Sequence, residues 1–236
     1  MTDQTLSWQR RAEELARRFD VVDDAVVIGG RRFQLLHPRS ADDLIVEADF
    51  ERDGRIPYWA EIWPSAVRLA EHLWAEQGAG RRCLELGCGA GLSSLAAAAA
   101  GYDVLATDYY QEALEFVELN AAQASIHLAT RHVDWRDWPL DMGCFDRVIG
   151  ADILYEKPYA ELIADVIAQT LSSCGIATVT DPARKAAEQF PARCEERGLA
   201  VERLPQVRRK HHGVEHSVDT YGIRWAESNQ GTTAKT

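Results

Sequence analysis

The chain has 236 residues, of which 46% are hydrophobic and 27% charged, and its formal net charge is −11. This size and composition are typical of one soluble α/β domain with a full core. No stretch approaches the roughly 18 consecutive apolar residues that a membrane-spanning helix requires. Residues 1–18 lack the apolar stretch of a signal peptide, so we expect the mature chain to begin near Met1.

The first part of the chain predicts a helix and a hairpin. Residues 7–18 have the pattern of a helix with Leu15 on its inner side. Residues 25–28 and 31–36 predict two strands, and the glycine pair between them supplies the positive φ that a tight hairpin turn requires. Residues 38–54 are polar and acidic, which is compatible with a mobile flap. Residues 64–77 predict a further helix.

From residue 82 onward, strand and helix patterns alternate. We predict strands at 82–86, 103–107, 127–133, 145–151 and 175–180, helices at 91–100, 111–122, 158–172 and 183–197, and terminal strands near 199–207 and 216–226. This order predicts the α/β class, with a Rossmann-like doubly wound sheet of seven strands, mostly parallel with an antiparallel last strand, plus the N-terminal helix and β-hairpin. The expected divisions are an N-terminal extension over 1–56, the main domain over 57–227 and a flexible tail over 228–236.

Three glycines and a downstream acid indicate a nucleoside site in this sheet. Residues 85–91 read E-L-G-C-G-A-G between a strand and a helix, and the following strand ends at Asp108. Glycine allows the backbone to turn sharply and approach a ligand, and Asp108 is placed to accept hydrogen bonds from two ribose hydroxyls. The spacing differs from the G-x-G-x-x-G of dinucleotide sites, where a pyrophosphate rests on the helix N-terminus.

The pattern E-x-G-x-G-x-G resembles motif I of class I S-adenosylmethionine-dependent methyltransferases, and this chain matches all of it. The resemblance implies S-adenosylmethionine as cofactor and S-adenosylhomocysteine as product, with the amides of residues 89–92 facing the methionine carboxylate and ribose. It also implies that Glu85 points toward the amino acid end of the cofactor. An NAD site is the disfavoured alternative. A turn that merely joins strand to helix requires neither three glycines nor a terminal acid.

Ligands of open parallel sheets bind at the carboxyl ends of the strands, and acidic and aromatic residues stand there. We expect Tyr109 to lie against an adenine ring, Asp134 to accept a hydrogen bond from its amino group and Trp135 to cover it. The structural alternatives are a helix N-cap for Asp108, a loop aromatic for Tyr109 and a turn residue for Asp134. Glu85 lies in an apolar strand, where a structural role requires a buried basic partner.

The strand at 145–151 leads into Asp152 and Tyr155, which form D-x-x-Y. At this position class I methyltransferases keep substrate-facing residues, and the form resembles that of the seven-β-strand protein lysine methyltransferases. Ahead of motif I, residues 56–64 read I-P-Y-W-A-E-I-W-P. The resemblance implies that Trp63 contacts the cofactor, whereas for Trp59 the structural alternative is a hydrophobic staple over the sheet edge.

The runs Y-W-A-x-x-W-P, D-x-x-Y and Thr180–Arg184 most resemble the electron-transfer-flavoprotein β-subunit lysine methyltransferases, over about Pro57 to Trp225. Ser65-Ala66 stands where the better-known members have Gly-Gly, and Ala183 where they often have glycine. The resemblance and the strand-end rule together give the candidate residues. The cofactor-binding set is Trp63, Glu85, Gly87, Cys88, Gly89, Gly91, Asp108, Tyr109, Asp134 and Trp135; the catalytic pair is Asp152 and Tyr155; and the substrate-contacting pair is Trp59 and Glu61.

The function that follows is a protein lysine N-methyltransferase, acting by in-line transfer to a deprotonated amine. Because lysine has a reference pKa of about 10.4, we expect Trp59 and Tyr155 to form an apolar channel that disfavours the ammonium form. Asp152 would orient the amine, and Glu61 would help to select a cationic chain. There are two alternatives. One is a small-molecule N- or O-methyltransferase, whose acceptor in the N-methylating case would be a small amine. The other is a binding module without catalysis.

Charge and cysteine usage indicate the partners and the compartment. A net charge of −11 suits a cationic or neutral substrate, and the short basic run at 208–212 is interpreted as a solvated loop, so we expect no nucleic acid and no membrane as partner. The five cysteines are scattered without C-x-x-C spacing, which predicts no zinc site, no disulfide framework and a reducing cytoplasm. The histidines at 211, 212 and 216 are likewise assigned to a solvated loop, and no metal is expected. The sequence leaves the oligomeric state open.

Overall fold

A computed structural model describes residues 3–44, 57–211 and 213–227. The N-terminal part contains helix α1 (Asp3–Arg18) and the strands β1 (Val21–Ile28) and β2 (Arg31–Pro38), which pair antiparallel along their whole length. A 3₁₀ turn at Asp42–Leu44 follows. The larger part of the predicted flap, residues 45–54, and the predicted tail, residues 228–236, lie outside the described residues.

The main sheet has seven strands in the order β5-β4-β3-β6-β7-β9-β8. The strands are β3 (Arg82–Leu86), β4 (Asp103–Asp108), β5 (Ala129–His132), β6 (Phe145–Ala151), β7 (Leu171–Asp181), β8 (Leu199–His211) and β9 (Val214–Trp225). β3 to β7 pair in parallel, and β9 runs antiparallel between β7 and β8. The predicted fold class, with its single antiparallel strand at the end of the chain, is therefore confirmed.

Helices cover both faces of this sheet. They are α2 (Pro64–Trp74), α3 (Leu92–Ala99), α4 (Gln111–Gln123), α5 (Lys157–Thr170) and α6 (Phe190–Glu195). Successive strand residues point to opposite faces: Leu84 packs in a core cluster with α5 and α6, whereas its neighbour Cys83 packs in a cluster with α2 and α3. Both faces of the central strands are therefore buried, as expected for parallel strands joined by helices.

The N-terminal elements share their core with the main domain. Phe33 and Leu35 of β2 are buried with Leu92 and Leu95 of α3. Leu15 of α1 is buried in a second cluster that includes residues of α4. Ion pairs such as Arg18–Glu115, at 2.5 Å, join the exposed sides of α1 and α4. Within the described part of the chain, the N-terminal elements therefore share a hydrophobic core with the helices of the main domain.

Three sequence predictions need correction. The predicted helix at 183–197 is a 3₁₀ turn, Lys185–Gln189, followed by α6, because Pro191 stands in the first turn of α6. The basic run at 208–212 was assigned to a loop, but its residues 208–211 lie in β8, opposite β9. His216 is likewise a strand residue of β9, paired with Arg209. His212 lies outside the described residues. None of the described helices is long and apolar enough to span a membrane.

Candidate active site

The turn between β3 and α3 depends on glycine at each of its three motif positions. Gly87, Gly89 and Gly91 have φ values of 67°, 51° and 91°, in the left-handed region that side chains disfavour. A Cβ atom at Gly89 would lie 3.2 Å from the carbonyl oxygen of Trp59. Gly91 occupies the N-cap of α3 without any side-chain cap. The turn therefore leaves backbone, rather than side chains, facing the cleft above it.

Asp108 lies at the carboxyl end of β4, beside this turn. Its Oδ2 accepts a hydrogen bond from the amide of Gly89 at 2.9 Å, and its Oδ1 accepts one from the amide of Tyr110 at 3.0 Å. Burial raises the pKa of Asp108, and these amide hydrogen bonds oppose that rise. The amide of Tyr109 is a third backbone donor to this carboxylate, and a carboxylate has acceptor sites for about four hydrogen bonds. The N-cap of α4 is Tyr110, without a side-chain cap, so the N-cap interpretation of Asp108 was wrong. Asp108 lines the cleft.

Glu85 is buried in β3 with a hydroxyl partner in place of a basic one. Ser94 of α3 donates a hydrogen bond to its Oε2. Burial raises the pKa of Glu85 to about 8, although hydrogen bonds from Ser94 and Ser93 lower it. Sequence reasoning supposed that a structural role needs a buried cation, and that supposition was wrong, since two serines of motif I's own helix serve instead. The carboxyl group lies beside the cleft and is easily protonated.

The residues predicted for the adenine side are brought together after β4 and β5. Asp134 caps the 3₁₀ turn Trp135–Asp137 by accepting a hydrogen bond from the amide of Arg136, and its carboxylate pairs with the Arg136 guanidinium at 2.6 Å. The turn role named as the structural alternative is therefore present. Tyr109 lies within 6 Å of that guanidinium. The buried indole Nε1 of Trp135 has no hydrogen-bond partner among the described residues.

Asp152 and Tyr155 follow β6 on the other side of the cleft. Asp152 has a φ of 59°, and its side chain is only 7% exposed. Its Oδ1 lies 2.6 Å from Nη1 of Arg184, an ion pair whose angles are not those of a hydrogen bond, and its Oδ2 accepts a hydrogen bond from Ser65 at 3.1 Å. Burial raises the pKa of Asp152, and Arg184 and Ser65 oppose that rise. Sequence reasoning missed both partners.

A row of aromatic rings runs along the same side of the cleft. Tyr58 contacts Trp63 and Tyr155, with centroid separations of 6.0 Å and 5.4 Å. Tyr159 contacts Tyr155 at 4.9 Å and Trp135 at 5.6 Å. Burial raises the pKa of Tyr155, so its hydroxyl stays protonated. The row joins the predicted acceptor residues to the predicted adenine side through Tyr58 and Tyr159, which sequence reasoning did not select.

The two predicted substrate residues have different surroundings. The Trp59 ring is 7% exposed and lies among Phe19, Tyr110 and Phe116 in the core cluster beneath α1. The structure thus places this ring in the core, as the staple interpretation supposed, while Trp59 also borders the cleft. Its role as a wall of the acceptor channel stays a prediction. Glu61 is half-buried and lines the cleft.

The predicted site residues border one open cleft, which encloses about 970 Å³ of space, part of it continuous with solvent. Its lining includes Trp63, Glu85, Cys88, Asp108, Tyr109, Asp134, Trp135, Asp152 and Tyr155. The bare glycine turn, the Asp108 carboxylate and the unpartnered indole of Trp135 fit a nucleoside with a zwitterionic tail. The turn has G-x-G-x-G spacing, which differs from the G-x-G-x-x-G of pyrophosphate-binding sites. Together, the fold and the cleft have the architecture of a class I methyltransferase domain.

Comparison with known proteins gives the family. The sequence model of the lysine methyltransferase family matches residues 43–196, and the chain belongs to this family. The zebrafish (Danio rerio) electron transfer flavoprotein beta subunit lysine methyltransferase is 30% identical over 178 residues, which cover 68% of this chain and 64% of that protein. The resemblance drawn from the three motifs is therefore confirmed.

Two further similarities bear on the acceptor and on the fold. The Xenopus laevis histone-arginine methyltransferase METTL23 is 26% identical over 148 residues, or 59% of this chain and 63% of that protein. The T. thermophilus 16S rRNA methyltransferase RsmC, solved with AdoMet and guanosine, has a TM-score of 0.62 at 18% identity and covers 85% of this chain and 50% of that one. The chain spans a little under two thirds of the length of these curated relatives. The family supports S-adenosylmethionine as the cofactor.

Proposed function

We propose that this protein is an S-adenosylmethionine-dependent protein lysine N-methyltransferase. One observation carries the proposal: a single cleft joins the glycine turn and Asp108 to the buried Asp152 and the aromatic row. The first half suits the methyl donor, and the second suits a long aliphatic chain that ends in a nitrogen. A cleft of this kind supplies proximity and orientation, which are the main requirements of an in-line displacement.

The donor side follows from the side chains that border it. Asp108 would accept hydrogen bonds from the ribose hydroxyls, Tyr109 and Trp135 would border the adenine, and Glu85 and Trp63 would lie toward the amino acid end. Cys88 contributes backbone at the turn. When bound, S-adenosylmethionine supplies a methyl group already activated by its sulfonium. Because both carboxylate oxygens of Asp134 accept hydrogen bonds from Arg136, its proposed hydrogen bond to adenine requires Arg136 to release one of these contacts.

The acceptor side must present a nitrogen with a free lone pair. Apolar walls disfavour the charged amine and so lower its pKa, and Tyr58, Trp63 and Tyr155 provide such walls. Asp152 is well placed to accept a hydrogen bond from the nitrogen and aim it across the cleft. Glu61 lies on the same border and would attract a cationic side chain at the entrance. The proton lost by the amine leaves to solvent.

The proposed acceptor is tested by locating the transferred label. The protein is incubated with radiolabelled S-adenosylmethionine and either a protein extract or a dialysed small-molecule pool. We expect label on a discrete protein band and, after hydrolysis, in methyllysine. Label confined to the small-molecule fraction, or found in methylarginine, would contradict a lysine acceptor. A lack of cofactor binding in calorimetry would contradict methyl transfer altogether.

The role of Asp152 is tested with a matched pair of variants. Asp152→Asn is expected to lower methyl transfer about a hundredfold, because a misoriented acceptor loses the effect of proximity, while the dissociation constant of the cofactor stays nearly unchanged. Asp141→Asn removes another carboxylate that pairs with an arginine, at 74% exposure and outside the cleft, and it should leave both quantities intact. Loss of cofactor binding in Asp152→Asn would show that Asp152 belongs to the donor side.

We also propose a cytoplasmic location, which is supported by the free cysteines. Cys83, Cys88 and Cys194 are buried and free, and Cys144 and Cys174 are exposed and free. Exposed free thiols suit a reducing compartment. Fractionation of cells that express the protein at its native level tests this location. The divisions at 57 and 227 likewise stay proposals.

A further inference from the structure

The carboxylate of Asp152 is engaged on both oxygens before any acceptor arrives. Arg184 lies 2.6 Å from its Oδ1, and Ser65 donates to its Oδ2 at 3.1 Å. The pair is shielded unequally, because the Asp152 side chain is 7% exposed and that of Arg184 is 28% exposed. The group that an acceptor nitrogen meets is therefore an ion pair, with the guanidinium as its outer member.

The backbone on both sides is built to hold this pair. Asp152 has a φ of 59°, and Ala183, next to Arg184, has a φ of 60°. A side-chain-bearing residue adopts such values only where the surrounding structure requires them. Asp181 accepts a hydrogen bond from the amide of Arg184 at 2.7 Å. The guanidinium also lies 5.9 Å from the Trp63 ring. These contacts fix Arg184 between the end of β7 and the aromatic row.

An isolated carboxylate beside a lysine nitrogen would work against methylation. A neighbouring negative charge favours the ammonium form, which has no lone pair to attack the methyl carbon. The apolar walls push in the opposite direction. Asp152 can only orient the amine productively if its own charge is offset, and a permanently charged guanidinium at ion-pair distance offsets it at any assay pH.

We propose that Arg184 is a positioning residue for the methyl acceptor, which neutralises Asp152 so that Asp152 orients the lysine nitrogen without holding it as an ammonium. This inference rests on the proposed lysine acceptor. In the transfer itself, the nitrogen lone pair forms the new N–C bond, the C–S bond breaks with its electron pair kept by sulfur, and the amine's proton has already left to solvent. Arg184 contacts neither reacting atom and acts through Asp152.

Other charged groups face Asp152 and must be separated from this effect. His216 approaches from β9, Asp181 lies at the end of β7 and Glu61 borders the cleft from the segment ahead of α2. Burial raises the pKa of Asp181 to about 7, so Asp181 titrates within the range of an assay. To remove the effect of Asp181 titration on the pH profile, every comparison is repeated in an Asp181→Asn background.

The test compares the pH dependence of kcat in three variants, at saturating concentrations of a lysine peptide and cofactor, because kcat reports the pKa values of the bound complex. Arg184→Met should move the alkaline rise of the profile to higher pH by about one unit. The rate should then be approximately tenfold lower near neutral pH, and it should converge with that of the unaltered protein near the amine's own pKa. Arg184→Lys keeps the charge and should keep the profile. Ser65→Ala removes a hydrogen bond from the same carboxylate without changing charge, so it should leave the position of the rise unmoved.

The outcomes separate this inference from the function on which it rests. A loss in Arg184→Met that is the same factor at every pH would mean a structural role and overturn the inference alone. Weakened cofactor binding in calorimetry would do so as well, because it would place Arg184 on the donor side. Absence of peptide methylation by the unaltered protein would overturn the proposed function, and the inference with it. A shifted rise with unchanged cofactor affinity supports both.

Discussion

Glu85 shows how a single buried carboxyl links motif I to stability. It is 1% exposed and has Ser94, rather than a cation, as its partner. Burial raises the pKa of Glu85 to about 8 in the folded protein, whereas an unfolded chain has a value near 4.3. Between these values the folded state holds a proton that the unfolded state has lost. Stability therefore falls as pH rises through this window, and the loss is complete above a pH of about 8.

Glu85→Gln should remove this pH dependence. Glutamine stays neutral and can still bond to Ser94, so the cofactor-free variant should match the unaltered protein below about pH 4 and exceed it by on the order of 1–5 kcal/mol above pH 8. Urea unfolding at a series of pH values measures the difference. Parallel stability curves for the two proteins across that range would show that Glu85 is ionised in the folded state, contrary to this expectation.

At the scale of elements, α4 ties the N-terminal hairpin to the glycine turn through one side chain. Asn120 is fully buried. Its Oδ1 accepts a hydrogen bond from the amide of Leu36 at 2.8 Å, and its Nδ2 donates to the carbonyl of Leu36 at 2.9 Å and of Ala90 at 3.1 Å. The amide thus completes the edge of β2 and fixes the backbone of motif I at once.

Asn120→Ala should destabilise the protein by about 2–4 kcal/mol, because it leaves buried backbone groups of β2 without partners. Weaker cofactor binding should accompany the loss, since the turn at Ala90 loses a support. Differential scanning calorimetry and titration of the cofactor measure the two effects. Gln123→Ala, on the next turn of α4, is the control. An Asn120→Ala protein with unchanged thermal stability would show that water replaces the lost hydrogen bonds.

At the scale of the whole molecule, the N-terminal extension and the sheet form one core. Leu15, Ile28, Phe33 and Leu35 are each 4% exposed or less. They cover α3 and α4 on the side opposite the strands. Four such side chains correspond to about 6–12 kcal/mol of burial, which is comparable with the total stability of an average domain. The N-terminal extension therefore contributes substantially to the stability of the methyltransferase fold.

A chain that starts at residue 57 should accordingly fail to fold stably. We expect aggregation or a non-cooperative thermal transition in circular dichroism, whereas a chain that lacks only residues 228–236 should melt as the full chain does. The first protein also loses Phe19, one of the aromatic partners of Trp59 in its core cluster. A soluble, cooperatively folding chain from residue 57, with full cofactor binding, would show that the shared core contributes little.

The order of strands and helices and the class of cofactor could be predicted from the sequence, because each depends on local pattern. The hydrophobic runs indicate the strands and helices. The three glycines at 87, 89 and 91 indicate a turn with positive φ, which the structure shows at each of them. Asp108 and Asp152 were located by the rule that ligands meet the carboxyl ends of parallel strands. The contact of Tyr58 with Trp63 and Tyr155 became visible only in the tertiary structure, since adjacent aromatic residues give the same sequence signal.

The hydrogen-bond and ion-pair partners that the sequence analysis missed all come from distant segments of the chain. Ser65 and Arg184 lie 87 and 32 residues from Asp152 along the chain, and Ser94 reaches Glu85 only because α3 folds back over β3. Composition and spacing report what one segment tends to do. The protonation of Glu85 and the neutralisation of Asp152 depend on burial and on charges brought together from separate segments, and these exist only once the chain has folded.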